Sequence, residues 1–389
     1  FKTAMTLYND ALGRSENHEL AFVGRSLARS ERRIEQQEAM ADISIGLAQA
    51  KGSTLVAWKE LALASAQYAL EDYEASGEAL TKAVGPKEPR FLARVGLRRV
   101  RQGQIVAAAK ARAEITWYAA DPAVNPLATL LDAELLLARG LPGAALEKVG
   151  EIVGLEAASI RGRALFDLGR SKDALAAFEK ALELSPEDLE MQVWAQASRM
   201  LALKGSEKRK ADESLDSLGR KAKTKSARFV HGMALAATGN TALAKDKLEQ
   251  SVDGISEAYP NALAYRSYLS LARLEFAEGK SVEALALLDK SVEHNPGYLP
   301  TRDLLGQVLV ATDPGRALTI LADVYEAGVA SVGAELAYAR ALAKTGGDKA
   351  KAADAIRRAK ERGASDAALQ PAIADVDPAL FEELGVPAI

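Results

Sequence analysis

A small side chain recurs at a near-constant interval along this 389-residue chain, and that recurrence narrows the folds open to it more than any other feature. Gly24, Ala64, Gly96, Ala133, Gly162, Ser198, Gly232, Ala272, Gly306 and Ala339 form the series. Each stands seven residues before a second marker: Glu31, Glu71, Gly103, Gly140, Gly169, Gly205, Gly239, Gly279, Asp313 and Gly346. Successive markers lie 40, 32, 37, 29, 36, 34, 40, 34 and 33 residues apart. Self-similarity at such a period signals stacked supersecondary units, each of which buries its apolar face only against its neighbours. Ten such units fit over roughly residues 17–365, several of them degenerate. A bulky residue in the first series would drive paired helices apart.

Composition points to helices. Apolar residues make up 48% and aromatics 5%, and the abundant Ala and Leu are the residues least costly to place in a helix. No sustained alternation of β-branched or aromatic residues with polar ones marks a strand. A net charge of −3 gives no overall field to gather nucleic acid or acidic lipid. The absence of Cys excludes disulfides, thiolate metal sites and cysteine nucleophiles. The apolar stretch 126–146 is interrupted by Asp132, Glu134 and Arg139, so it does not qualify as a membrane span.

The clearest unit is 155–188, LEAASIRGRALFDLGRSKDALAAFEKALELSPED. Gly162 and Ala164 on a first helix face Ala174, Ala177 and Ala181 on a second. Gly169 stands between them, where Gly can leave a helix in a left-handed conformation. Pro186 follows the second helix, and Phe178 and Leu182 supply its bulk. With Leu155 as position 1, Gly162, Leu165, Gly169, Ala174, Phe178, Ala181 and Pro186 occupy positions 8, 11, 15, 20, 24, 27 and 32. In this pattern the unit resembles a tetratricopeptide repeat, although the aromatic usual at position 4 is Ala158. Residues 265–298 match as well, through Tyr268, Leu271, Ala272, Gly279, Ala284, Leu288 and Pro296.

The resemblance implies an all-α, right-handed superhelical solenoid of tandem helix-turn-helix repeats. About ten repeats are expected over 13–365, with capping helices over 366–389. Within the last segment, DPALFEELG (377–385) carries Asp377 as N-cap, Pro378 in the first turn and Gly385 beyond the end. Residues 1–12, FKTAMTLYNDAL, place Ala4, Tyr8, Ala11 and Leu12 at positions 20, 24, 27 and 28. That register predicts the second helix of a truncated repeat, and so a piece of a longer array.

In the family the first helices line a concave groove through positions 5, 9, 12 and 13, which share one helical face. Position 9 reads Arg25, Ser65, Leu97, Glu134, Arg163, Arg199, Met233, Arg273, Gln307 and Arg340. Position 12 includes Tyr68, Phe166 and Phe276, and position 5 includes Phe229. The resemblance therefore implies a partner-binding groove of Arg25, Tyr68, Arg163, Phe166, Arg199, Phe229, Arg273, Phe276 and Arg340. Arg pairs with carboxylates bidentately and stacks on aromatics, so the expected partner segment is acidic and apolar. These arginines can also be read as ordinary solvated positions. The family's carboxylate clamp for chaperone tails is not expected, because Asn is absent from position 9.

Two stretches are basic. Residues 87–112 carry eight basic residues against Glu88, with Arg94, Arg98 and Arg101 on one helix face as a basic docking patch. Residues 204–228 mix nine basic and four acidic residues, as a solvated helix pair would. His18, His231 and His294 fall in different repeats and suggest neither a metal site nor an acid–base pair, and His231 is expected inside. Gly279-Lys280-Ser281 lacks the Gly a phosphate loop needs five residues earlier, where Leu274 stands.

No catalytic motif, cofactor or metal is expected. The function read from these features is a non-catalytic protein-binding scaffold, without nucleic acid and without a membrane span. The alternatives are a self-associating structural subunit and an RNA-binding helical repeat. Rich in Ala, Arg and Gly, the repeats suggest a bacterial chain serving a pilus (type IV included), motility, polarity or secretion assembly. A cytoplasmic site is expected, with the periplasm as the alternative.

Overall fold

The computed structural model describes residues 2–15, 18–32, 36–49, 53–70, 72–115, 125–222, 225–255 and 263–376. Every regular element among them is a helix. The first, α1 (Lys2–Arg14), is followed by ten helix pairs. These are α2 (Glu19–Arg32) with α3 (Gln36–Gln49), α4 (Ser53–Ala69) with α5 (Tyr73–Lys82), α6 (Pro89–Arg101) with α7 (Ile105–Glu114), and α8 (Asn125–Ala138) with α9 (Pro142–Val149). Next come α10 (Leu155–Asp167) with α11 (Ser171–Leu184), α12 (Leu189–Ala202) with α13 (Gly205–Ala222), and α14 (Lys225–Ala237) with α15 (Thr241–Val252). The last three are α16 (Ala264–Ala277) with α17 (Ser281–His294), α18 (Leu299–Leu309) with α19 (Pro314–Glu326), and α20 (Val332–Lys344) with α21 (Lys349–Glu361). A final helix, α22, spans Asp366–Ala374. The chain is thus an all-α helical-repeat fold. The motif at 377–385 lies outside the described residues.

The chain divides into two compact units, residues 1–267 and 268–389, with the boundary inside α16. In the first unit each even-numbered helix packs on its pair partner and also on the next even-numbered helix, from α2 through α14. Those even-numbered helices form one continuous wall.

The pairs close where the sequence keeps its small residues. Ala64, Ala133 and Ser198 are wholly buried. A Cβ added to Gly162 would lie 2.5 Å from the Phe178 ring and one on Gly232 2.7 Å from Leu248, both within a pair, while one on Gly96 of α6 would lie 2.5 Å from Leu131 of α8, the next helix of the wall. Such distances cannot be met without displacing a buried neighbour. Gly169, with φ 73°, ends the α10 turn in the left-handed region, and Arg170 N–H donates back to the Leu165 carbonyl at 2.9 Å. Several N-termini are capped by aspartates: Asp72 accepts from Ala75 N–H, Asp188 from Met191 N–H and Asp348 from Ala350 N–H.

Aromatic packing ties α10, α11, α12 and α14 together. Trp194 is 2% exposed; its ring stacks on Phe178 at 5.8 Å and meets Phe166 edge-on at 5.1 Å and Phe229 at 6.4 Å. Substituting Gly162→Leu should displace Phe178 from Trp194 and cost about 1–3 kcal/mol by overpacking. A lowered urea midpoint with a changed near-UV Trp signal checks this; unchanged values would contradict it.

The second unit buries a carboxylate. Glu335 on α20 is 1% exposed, and the Arg362 guanidinium stands 3.4 Å away. Burial raises its pKa, against the opposing pull of Arg362 and Arg358. The folded state therefore favours neutral Glu335. Its contribution is most favourable below the unfolded carboxylate value and is lost as pH rises through the folded one. The Glu335→Gln variant should match the parent in thermal midpoint near pH 4 and exceed it near pH 7. A variant less stable at pH 7 would show that the Arg362 pair outweighs burial.

Candidate functional site

The wall of even-numbered helices in the first unit carries the chain's densest set of designated site residues. Pro89 opens α6 in its first turn, and the helix turns Arg94, Leu97, Arg98 and Arg101 to the same side. They line a cavity of about 130 Å³, partly open to solvent. Leu27 of α2, Leu61 and Ser65 of α4, Leu127 of α8 and Glu156 of α10 complete it. A second cavity, about 50 Å³, lies along the same wall between Tyr68, Arg101, Glu134, Arg163, Trp194 and Arg266. Arg101 borders both.

Glu134 organises the charges between the cavities. It is 1% exposed; Arg163 forks onto both of its oxygens, one contact at 3.2 Å, and Arg101 Nε stands 3.7 Å away. Arg101 also pairs with Glu156. Burial disfavours the Arg101 charge, but Glu156 and Glu134 more than offset it, so its pKa is raised overall. Arg94 is placed differently: burial lowers its pKa despite the nearby Glu156. Further along the wall Arg266 pairs with Asp167, and its guanidinium lies over the rings of Trp194 and Phe229 at 5.9 and 5.5 Å.

The designated residues fall into distinct groups. Tyr68, half-buried, faces the second cavity and donates from its hydroxyl to the Arg101 carbonyl at 3.2 Å. Arg98 lies over the Tyr68 ring at 5.3 Å. Arg163 faces the same cavity but is held by Glu134. Phe166 is buried against Trp194.

Three expectations need correction. Phe229 is wholly buried and belongs to the core, because its helix face packs on Trp194 rather than opening to solvent. Arg25 forks onto Asp42 of α3 at 2.9 and 2.6 Å and bonds Asn9 of α1, so it ties helices together. The basic face of α6 is not an open surface patch: Arg98 and Arg101 are each 8% exposed and sit inside the wall.

Arg199 reaches Glu179 of α11 at 2.8 Å. In the second unit Arg273 is exposed, Phe276 half-buried, and Arg340 stands 3.8 Å from Asp375. On α13, Arg209, Lys210 and Arg220 pair with Glu213, Glu207 and Asp216 one turn away, which is the solvated mixed-charge helix the sequence suggests. His231 is buried, its Nε2 2.8 Å from Asp212 Oδ1.

Sequence reasoning missed Glu134, Glu156, Asp167 and Arg266. One signal was present: Glu134 is the acidic residue in a position-9 column half filled by Arg.

Residues 155–188 match the family model described as Tetratricopeptide repeat. In structure the chain is similar to one from the APC/C hetero-tetramer Cut9–Hcn1, with a TM-score of 0.51, 12% identity, and coverage of 99% of this chain and 80% of that one. It is also similar to a thermophilic tetratricopeptide-repeat protein of Thermus thermophilus, at 21% identity over 48% of this chain and 99% of that one, TM-score 0.35. A tetratricopeptide repeat protein from Parabacteroides merdae matches at 17% identity over 66% of this chain and 100% of that one, TM-score 0.38. No curated protein matches the sequence. Residues 155–188 are thus a tetratricopeptide repeat, set in a chain whose fold is an all-α helical repeat.

Buried pairs and exposed pairs differ in weight: an exposed ion pair contributes about 0–1 kcal/mol, whereas stranding a buried charge costs about 3–5 kcal/mol. Glu134→Ala strands Arg163 and should cost about 3 kcal/mol. The double variant Glu134→Ala/Arg163→Met should recover much of that. Urea midpoints and amide exchange in α8 and α10 check it; a loss below about 1 kcal/mol would place the pair with the exposed ones.

Proposed function

We propose that this protein is a non-catalytic scaffold that grips a segment of a protein partner along the even-numbered-helix wall of its first unit. The observation that carries the reading is the α6 face, where Arg94, Arg98 and Arg101 share one cavity with Leu27, Leu61, Leu97 and Leu127. Guanidinium groups set among leucines favour a segment that presents carboxylates beside apolar side chains. Arg163 and Arg199 pair with carboxylates of neighbouring helices, as Arg101 of α6 does, and these pairs contribute rigidity to the wall. The composition of the repeats extends the proposal to a bacterial pilus, motility, polarity or secretion assembly, in the cytoplasm, with the periplasm as the alternative.

The test is affinity capture on the tagged chain from its native source, followed by titration of the captured partner. Binding should weaken with salt and fall at least about tenfold, or about 1.4 kcal/mol, in the Arg94→Glu/Arg98→Glu variant. Charge reversal of Arg209 and Arg220 on α13 should leave it unchanged. Equal binding by a folded α6 variant would contradict the proposal. A concentration-dependent mass without a partner would favour the structural subunit, and retention of single-stranded RNA at physiological salt would favour the RNA-binding repeat.

A further inference from the structure

Arg362 is the C-cap of α21, and its guanidinium is divided between two kinds of acceptor. Nη1 donates to the Ala330 carbonyl and Nη2 to the Gly328 carbonyl at 3.4 Å, so the side chain clamps the α19–α20 turn, residues 327–331. The same Nη1 stands 3.4 Å from Glu335 Oε1 on α20. A charge-assisted hydrogen bond closes to roughly 2.7–2.9 Å, so this pair is not closed. The other oxygen, Oε2, is buried and has no hydrogen-bond partner among the described residues. Glu335 is 1% exposed, and a carboxyl group so enclosed and so poorly satisfied suits its neutral form.

Every helix packed on α20 brings charge or a titratable group. From α18 comes Asp303, which accepts from Gln307 Nε2 and from both the N–H and the hydroxyl of Ser331. From α21 come Asp354 and Arg358 as well as Arg362, and from α19 the Tyr325 hydroxyl, which donates to Asp354. On α22 Asp366 and the C-cap Asp375 are exposed, and Asp375 lies 3.8 Å from Arg340 of α20. Burial raises the Glu335 pKa most; Arg362 and Arg358 oppose it, and Asp303 and Asp354 add to it. The group therefore ionises above the ordinary carboxylate range. Once ionised, it competes for Arg362 against two neutral carbonyls, and a hydrogen bond to a charged acceptor is about twice as strong.

We propose that Glu335 and Arg362 form a pH-sensitive switch on the α19–α20 turn: neutral Glu335 leaves Arg362 on the Gly328 and Ala330 carbonyls, and ionised Glu335 draws it away and releases the turn. The closed turn is fully favoured below the carboxyl value of the open state and is lost as pH rises through the value of the closed one. Ser331 stays tethered to α18 through Asp303, which confines the opening to residues 327–330. The switch does not depend on the partner proposed for the first unit.

The test is amide exchange of the full chain from about pH 5 to about pH 8, corrected for the intrinsic pH dependence of exchange. Carbon-13 NMR follows the Glu335 carboxyl over the same range. Gly328 N–H donates to the Tyr325 carbonyl and Val329 N–H to the Val324 carbonyl, so these two amides report on the turn. Their protection should fall as pH rises through the Glu335 titration, by about tenfold for each pKa unit that separates the closed turn from the open one. Ser331 N–H, held by Asp303, should keep its protection. Glu335→Gln should retain high protection at Gly328 and Val329 throughout, and Arg362→Gln should lower it at every pH.

Flat protection in the parent across the Glu335 titration overturns the inference, as does an unchanged pH profile in Glu335→Gln. A Glu335 carboxyl that titrates within or below the ordinary carboxylate range also overturns it. Should Arg362→Gln fail to fold, the parent and Glu335→Gln profiles decide the matter by themselves.

Discussion

The closeness of the paired helices is the constraint on which the rest of this structure depends. Where Gly162 meets Phe178, or Gly232 meets Leu248, there is no room for a single added methyl group. That contact brings the backbones together, and within each unit neighbouring pairs then bury their apolar faces against one another. The bulky partner is as necessary as the glycine. Phe178 fills the space the glycine leaves and carries the packing onward to Trp194, and so to α10, α12 and α14 at once.

Close pairing also decides where charge can go. With even-numbered helices side by side, a long side chain on one of them reaches a carboxylate on the next or next but one. Arg163 of α10 meets Glu134 of α8, and Arg101 of α6 meets Glu156 of α10. The same geometry folds the arginines of α6 into the wall, their stems among leucines and their guanidinium groups toward a cavity. The wall thus holds two kinds of arginine. Some, like Arg25 and Arg163, fork onto buried carboxylates and hold helices in place. Others, Arg94 and Arg98 of α6, border the α6 cavity.

Much of this was legible in the sequence, because spacing alone carries the repeat. The small-residue series, the glycine turn at Gly169, the interior His231 and the solvated α13 are local matters of register, period and composition. The charge pattern was less legible. A position-9 column says that Arg25, Arg163 and Arg199 share a face, but it cannot say that Asp42, Glu134 and Glu179 come across from other helices to meet them. Phe229 shows the same limit for apolar residues: its register position matched a groove position, yet Trp194 covers it. Neither the inward turn of the α6 arginines nor the part of Arg266 could be read from spacing, since both depend on which helices become neighbours.

The proposed partner segment lies along the even-numbered helices at α4, α6 and α8. Backbone amide exchange of the full chain, measured with and without the captured partner at saturation, tests this most directly. Added protection is expected in α4, α6 and α8, and no change in α5, α7 and α9. Protection confined to the odd-numbered helices would contradict it.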